Sequence, residues 1–313
     1  MQSELKKYPK GRYIFKQNNK IIAESKNIIT TLGQNEILKY LARQQPSYGD
    51  TIVLGIGATT PVVSDEYLDF TTFAVPVSGY FYDDTNEEIV YQAIVPAGVI
   101  TKIYEAGLAT GYPVVLTTST DTISNASDLI ANFDVNEDWS LTSGIEFHTD
   151  SALSILRSGN NSLKYTLTNT TKTSTLSYPD VFKLYDNSDV LKIALHIATN
   201  LPTSIAIKFY DSVNNSNYYQ WTLSSLALGY NIKEIEIGSL TQPSSALSLS
   251  DINTIEISVT STAATVINFD AIRVDHISDS FGYALISRSV LTTPSTISLE
   301  APIDIEYRLE FNF

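Results

Sequence analysis

The chain contains no cysteine, so disulfide bonds, thiolate metal sites and cysteine nucleophiles are excluded. Positive charge is scarce: 20 Lys and Arg stand against 34 Asp and Glu, for a net charge of −14. No apolar run approaches the length that spans a bilayer, so we expect no membrane insertion. Because phosphate binding requires clustered cations, the acidic balance also argues against nucleic acid as a partner.

The few positive charges are concentrated at the start of the chain. Residues 1–26 hold seven Lys and Arg against two Glu, a local charge of +5, whereas the remaining 287 residues carry −19. No apolar segment follows this basic stretch, so we expect no secretory signal. We therefore expect the protein to be synthesised in a cytoplasm. The stretch is either an arm for an acidic partner or a solvated hairpin, and a lone charge run favours the hairpin.

Uncharged polar residues and 19 tyrosines fill the spaces between apolar residues, a composition typical of β-strands. In Ile303–Phe313, six apolar or aromatic residues alternate with five polar ones, which predicts a strand with one buried face. Shorter alternating segments predict further strands at Leu191–Ile197, Ile205–Phe209, Ile235–Ile237 and Ile255–Val259. The sequence therefore predicts a mainly β protein.

One short helix is expected after residue 30. Thr31 and Gln34 have the spacing of a capping box, in which each side chain satisfies an exposed backbone N–H. Ile37, Leu38 and Leu41 then form a short apolar stripe, which we expect to pack into the core.

Two polar stretches, Thr117–Ser127 and His276–Ser280, have the character of linkers. We therefore predict a discontinuous β domain formed by residues 1–118 and 278–313. A β-sandwich jelly-roll domain, residues 119–277, is predicted to be inserted into it, as is common for modules whose termini lie close together.

The outer pieces carry, in this order, the motifs Asn27–Leu38, Ile52–Pro61, Asp65, Leu68, Glu105–Leu108 and Ala284–Val290. Together they resemble the pattern of a family of tailed-bacteriophage minor structural proteins of the tail, collar or capsid surface. One departure is Gln34-Asn35, where the family commonly has a basic residue after the Gly. The resemblance implies a virion location after release by lysis, with other virion proteins and further copies of the chain as partners.

The middle segment has three further motifs, at its start, its first turn and its end: Asn132–Trp139, Gly159–Tyr165 and Asn268–Asp275. Together they resemble those of carbohydrate-binding jelly-roll modules. This resemblance implies a structural calcium ion near the first and last strands, and calcium requires 6–8 oxygen ligands. The matching residues are Asp134, Asn160, Asn161 and Asp270. The alternative is that the two carboxylates cap turns and bind backbone amides.

Alternation also predicts which residues of the middle segment face outward. Candidate sugar-binding residues are two aromatic residues that stack on sugar rings and three polar residues that bind hydroxyls, namely Tyr210, Tyr218, Lys208, Gln220 and His196. The alternative, which we favour on frequency, is an ordinary exposed sheet face or a subunit interface. Trp139 and Trp221 are interpreted as core residues.

No motif indicates an enzyme. His148, His196 and His276 lack metal-ligand spacing, and the sequence has no nucleophile elbow. The acidic pairs at 83–84 and 87–88 fit a solvated turn, and Gly55 and Gly57 fit a close backbone approach rather than a dinucleotide fingerprint. The sequence thus predicts a virion structural protein that displays a jelly roll for contact with host glycans or for particle decoration. The alternatives are a glycan depolymerase and a cement protein without a ligand.

Overall fold

The computed structural model describes residues 9–44, 48–97, 102–110, 129–131, 133, 137–149, 161–177, 187–242, 247–275, 284–296 and 300–310. The chain forms two compact units. Unit 1 combines Met1–Pro113 with Phe281–Phe313, and unit 2 is the intervening Val114–Ser280. The predicted boundaries near 118 and 278 lie outside the described residues. Within the described ranges, no helix has the length and hydropathy of a membrane span.

Unit 1 consists of two five-stranded antiparallel sheets. Sheet A has the order β2 (Lys20–Lys26), β1 (Lys10–Gln17), β21 (Ile303–Glu310), β7 (Glu88–Val95) and β6 (Gly79–Asp83). Sheet B has the order β3 (Ile28–Ile29), β20 (Ala284–Thr296), β8 (Lys102–Thr110), β4 (Thr51–Gly55) and β5 (Thr71–Pro76). The predicted mainly β class is confirmed, and the final strand has the alternating burial that its sequence predicts.

The core of unit 1 lies between sheets A and B and is rich in tyrosine. Tyr13, Tyr307 and Tyr91 occupy one row across three neighbouring strands, and all three are buried. The hydroxyl groups of Tyr13 and Ser287 are 2.7 Å apart, and Asn27 donates to the Tyr307 hydroxyl at 3.2 Å. These bonds link side chains that are more than 270 residues apart in the sequence, so both pieces of the unit contribute to one core.

The helix α1 (Thr31–Leu41) differs from its prediction in two respects. Its N-cap is Thr30 rather than Thr31, and the Thr30 hydroxyl accepts a hydrogen bond from the Gly33 amide at 2.9 Å. Leu38 and Leu41 are 64% and 70% exposed instead of buried, because the helix packs on β20 through residues nearer its start.

Unit 2 also contains two antiparallel sheets. Sheet C has the order β11 (Ile145–His148), β12 (Ser162–Leu167), β19 (Thr265–Asp275), β14 (Val190–Ile197) and β17 (Gly229–Glu236), and β9 (Leu129–Ala131) also pairs with β19. Sheet D has the order β10 (Trp139–Leu141), β13 (Thr170–Ser177), β18 (Thr254–Ser261), β15 (Ser204–Asp211) and β16 (Asn214–Thr222). Two short 3₁₀ helices, Ile237–Ser239 and Leu249–Asp251, lie between strands.

Inward residues of both sheets form one hydrophobic cluster, as expected for a sandwich. Ile205, Ile207 and Phe209 are fully buried in it. Trp139 and Trp221 also belong to the cluster, which confirms their interpretation as core residues. The strand predicted at Ile235–Ile237 is wrong at its end, since β17 stops at Glu236 and Ile237 begins a 3₁₀ turn.

The motif residues of unit 1 form a buried ionic cluster on sheet B. Arg288 is 2% exposed and its guanidinium contacts the carboxylates of Glu105 at 3.0 Å, Asp69 at 2.7 Å and Asp65 at 2.9 Å. Glu105 also accepts hydrogen bonds from the amides of Gly57, Asp69 and Phe70. Burial raises the pKa of Glu105, and the Arg288 guanidinium opposes that shift.

Gly55 and Gly57 lie against this cluster. This agrees with the prediction that the backbone at these glycines approaches another part of the chain closely. A Cβ atom at either position would meet a Glu105 carboxylate oxygen at 2.5 Å. The pattern of glycines, aspartates and glutamate in the motifs therefore has a structural explanation: it builds one buried ionic cluster.

The acidic turn after β6 is only partly the solvated segment that the sequence predicts. Asp83 and Glu88 contact the Arg308 guanidinium at 3.2 and 3.0 Å, and Glu88 is 6% exposed. Asp84 and Glu87 are exposed, as expected.

Candidate functional site

The outer face of sheet D brings four of the five candidate sugar-binding residues together. Lys208 and Tyr210 lie on β15. Lys208 lies opposite Gln220 of β16, and Tyr210 lies opposite Tyr218 of β16. These pairs are adjacent because β15 and β16 are joined by a short turn, which fixes their register locally. We call these four residues, with Glu256 and Thr222, the sheet D patch.

Lys208 lies at the centre of the patch. Its Nζ is 3.5 Å from the Glu256 carboxylate of β18 and 4.7 Å from the ring centroid of Tyr218. The side chains of Lys208 and Glu256 are 31% and 25% exposed, so solvent screens their attraction and a ligand can still reach both. Gln220 donates to the Thr222 hydroxyl at 3.1 Å, and its carboxamide oxygen remains an acceptor.

Tyr210 faces outward as predicted, but it is only 8% exposed. Burial raises the pKa of Tyr210, the Glu256 carboxylate adds to the rise, and a hydrogen bond with the Thr175 side chain opposes it. Thr175 lies on β13, two strands from Tyr210 in sheet D, so the ring lies across the sheet face. Tyr210 therefore supports the floor of the patch and is not the exposed stacking residue that the sequence predicts.

Beside the patch, the outer face of sheet D carries only small side chains along several rows. Thr173 and Ser258 lie opposite each other with their hydroxyl oxygens 3.4 Å apart, and those of Thr171 and Thr260 are 2.9 Å apart. Ala206 continues the Ser258 row on β15. The patch thus borders a surface of hydroxyl and methyl groups.

His196 does not belong to this patch, which corrects the predicted grouping. It lies on β14 of sheet C, opposite Tyr230 of β17 and Asn268 of β19. Its neighbours Leu195 and Ile197 enter the shared core, so His196 faces the other side of the sandwich from Lys208. Alternation identified it as outward but carried no information on which sheet contains it.

Glu256 is the charged residue of the patch that sequence reasoning missed; Thr222 was also not among the candidates. It alternates with Ile255 and Ile257, which are buried, and this pattern was a signal that it faces outward. Its position beside Lys208 results from the pairing of β15 with β18, a contact across 48 residues. Among the described residues of the patch and its hydroxyl rows, Glu256 is the single carboxylate.

The candidate calcium ligands are only partly described. Asp134 and Asn160 lie outside the described residues. Asp270 is fully buried on β19 and accepts a hydrogen bond from the Tyr230 hydroxyl, and Asn161 accepts one from the Thr149 hydroxyl at 3.2 Å. Two such residues provide fewer oxygens than calcium requires, and the described part of the chain has no group of three or more acidic or histidine side chains suited to a metal.

Comparisons with known proteins give structural similarities but no family. No family model and no curated protein matches the chain. A family 11 carbohydrate-binding module from Clostridium thermocellum, solved with a β-1,3-1,4-mixed-linked tetrasaccharide, is 16% identical with a TM-score of 0.35, over 47% of this chain and 94% of that one. A family 30 carbohydrate-binding module of a cellulosomal cellulase of the same organism is 11% identical with a TM-score of 0.35, over 44% and 89%. An agarase is 12% identical with a TM-score of 0.35, over 47% of this chain and 24% of its own.

Proposed function

We propose that unit 2 binds carbohydrate without chemical conversion, and that the sheet D patch is the contact surface. The observation that carries this proposal is the row formed by Glu256, Lys208 and Gln220 beside the half-buried ring of Tyr218. An acceptor, a cationic donor and an amide in one row match the alternating donors and acceptors of sugar hydroxyls. The Tyr218 ring supplies an apolar surface for sugar C–H groups.

Binding is favoured over hydrolysis by the charge of the patch. A glycosidase uses two carboxyl groups about 5–9.5 Å apart. The described patch offers Glu256, which is engaged with Lys208. Incubation of the full chain with a polysaccharide that it binds should therefore release no oligosaccharides, and their release would establish the depolymerase instead.

The test of the binding surface is an affinity measurement on full-chain variants. A panel of bacterial surface polysaccharides and neutral oligosaccharides is screened first, and the retained saccharide is then titrated by calorimetry. Gln220→Ala should raise the Kd about tenfold, because it removes hydrogen bonds worth about 1–1.5 kcal/mol. Tyr218→Ala should weaken binding by at least as much, since it removes the ring surface.

His196→Ala is the matched control, because His196 is a half-exposed polar strand residue on the opposite sheet. Its Kd should equal that of the unmodified chain. An equal loss of affinity in His196→Ala and Gln220→Ala would count against the sheet D patch as the binding surface. So would a screen in which the chain binds none of the saccharides.

For unit 1 we propose attachment to a bacteriophage particle, with unit 2 displayed to host glycans and several copies on each particle. The ordered motifs of the sequence support this proposal. The side chains of Asp65, Glu105 and Arg288 in those motifs share one buried cluster, to which Gly57 contributes its backbone N–H. Repetition on a particle would increase weak single-site binding through avidity. Immunolabelling of intact particles tests the location on capsid, collar, tail or baseplate.

We also propose a structural calcium ion in unit 2. The proposal rests on the resemblance to carbohydrate-binding jelly-roll modules, which implies the ligands Asp134, Asn160, Asn161 and Asp270. A metal that binds only the folded state stabilises it by mass action. Chelation should therefore lower the melting temperature of unit 2 by several degrees, and added calcium should restore it. A melting temperature that does not change when chelator is added would contradict the calcium proposal. Asp270 would then act only as the hydrogen-bond acceptor of the Tyr230 hydroxyl.

A further inference from the structure

The edge strand β6 of sheet A contains three consecutive exposed aromatic residues. Tyr80, Phe81 and Tyr82 are consecutive and are 68%, 45% and 57% exposed. The strand pairs with β7 on one side, and no other strand of the described residues pairs with its free edge. A free edge presents unpaired N–H and C=O groups that can pair with another strand.

The opposite edge of the same sheet is protected, which makes β6 distinctive. β2 places Lys20, Glu24 and Lys26 at exposed positions, and charged side chains on an edge strand discourage pairing. In β6 the single charged residue is Asp83, and its carboxylate is bound to Arg308 and Asn86. Nothing in β6 therefore repels an incoming strand.

The aromatic residues also extend the buried core of unit 1 beyond the sheet edge. Tyr80 lies in the same row as Tyr91 and Tyr307, with its ring 6.0 Å from that of Tyr91. Tyr82 follows in the next inward row, beside the half-buried Ile89. Phe81 faces the other side, next to the buried Val90. An added strand would continue both faces of the sheet.

We infer that β6 pairs with β6 of a second copy of this chain, antiparallel and centred on Phe81. A two-fold axis at Phe81 places the two Phe81 rings opposite each other and each Tyr80 opposite a Tyr82. Both tyrosine pairs then lie on the core face of the joined sheet, because strand side chains alternate. Each Asp83 falls opposite Gly79, so the pairing brings no like charges together.

The expected strength of this contact is modest. The three aromatic residues expose roughly 300 Å² of side chain per copy, taking an aromatic residue at 150–250 Å². A stable interface buries about 800 Å² on each partner, so free chains should dimerise only weakly and at high concentration. The contact would become effective where several copies are held close together.

Cysteine cross-linking tests the register directly, because the chain contains no other thiol. Residues opposite each other in an antiparallel pair have Cβ atoms about 4.5–5.5 Å apart, close to the spacing that a disulfide requires. Under mild oxidation, Phe81→Cys should form a covalent dimer at least tenfold faster than the control Ile21→Cys. Ile21 lies on β2, the protected edge, and is 59% exposed. A mixture of Tyr80→Cys and Tyr82→Cys should cross-link faster than either variant alone.

Sedimentation of cysteine-free chains is the second measurement. The unmodified chain should dimerise with rising concentration, and Phe81→Lys should raise the dimer Kd at least tenfold, since it places two ammonium groups opposite each other. Ile21→Lys should leave it unchanged. Equal cross-linking rates of Phe81→Cys and Ile21→Cys, or an unmodified chain that stays monomeric at several hundred micromolar, would overturn the inference.

Discussion

Arg288→Met is expected to destabilise unit 1 by about 3–5 kcal/mol, because it leaves buried carboxylates without their counter-charge. Glu105 is fully buried and the substitution removes its only described cationic partner, while Asp65 and Asp69 lose the same guanidinium. Because methionine fills a similar volume, the loss of stability would result from the missing positive charge rather than from a cavity. Chemical unfolding followed by far-ultraviolet circular dichroism measures the effect.

Two features of the chain sharpen this measurement. Both tryptophans lie in unit 2, so tryptophan fluorescence follows that unit and should not change in Arg288→Met. Arg308 and Arg12 provide graded controls, since their side chains are 15% and 38% exposed in another ionic network. Arg308→Met should cost about 1–2 kcal/mol and Arg12→Met less than about 1 kcal/mol. Equal losses in all three variants would contradict the dependence on burial.

Gly33→Ala is expected to destabilise unit 1 by about 2–3 kcal/mol, although alanine is normally the better helix former by about 1 kcal/mol. Gly33 lies in the first turn of α1, where the helix contacts β20. A Cβ atom there would lie 2.0 Å from the carbonyl oxygen of Ile286, so the helix would have to move away from the sheet. The melting temperature of unit 1 should fall by several degrees.

Gly79→Ala is the matched control for this substitution. A Cβ atom at Gly79 meets no other atom within 4 Å, and the change should alter stability by less than about 0.5 kcal/mol. A stabilised Gly33→Ala variant would mean that helix propensity, not the contact with Ile286, determines the residue at this position.

Local patterns predicted the parts of the site that depend on one hairpin. Lys208, Tyr210, Tyr218 and Gln220 could be grouped from sequence, because β15 and β16 are neighbours in the chain and pair through a short turn. Alternation of side chains then determines which residues share a face. The burial of Tyr210 was not accessible in this way, since the tyrosine lies across the sheet and hydrogen-bonds with the Thr175 side chain, two strands away.

Non-local pairing accounts for the errors. His196 was grouped with the patch because its alternation resembles that of Lys208, yet β14 pairs with β17 and β19 in the other sheet. Glu256 was missed because its neighbour Lys208 belongs to a strand that precedes it by 48 residues. The partners of Arg288 were likewise hidden, since Glu105 lies 183 residues away in the sequence. The linker positions and the ordered motifs indicated that the two segments belong to one domain, but not which residues in them are in contact.

The helix start shows how a local signal can be displaced by one residue. Thr30 and Thr31 are both able to cap a helix, and spacing to Gln34 favoured Thr31. Thr30 is the cap because its hydroxyl also binds the carbonyl oxygen of Leu285 in β20, a contact that Thr31 does not make. Packing on the sheet therefore decides between two residues with equal capping chemistry.

Hydrogen–deuterium exchange of the full chain, with and without a saccharide retained in the panel, tests the sugar-binding surface most directly. Binding at the sheet D patch predicts slower amide exchange in peptides from β15, β16 and β18, whose outer face the ligand would cover. Peptides from β14 and β17 of sheet C should exchange at unchanged rates. Protection confined to sheet C, or no protection by any saccharide at concentrations above its measured Kd, would contradict the account.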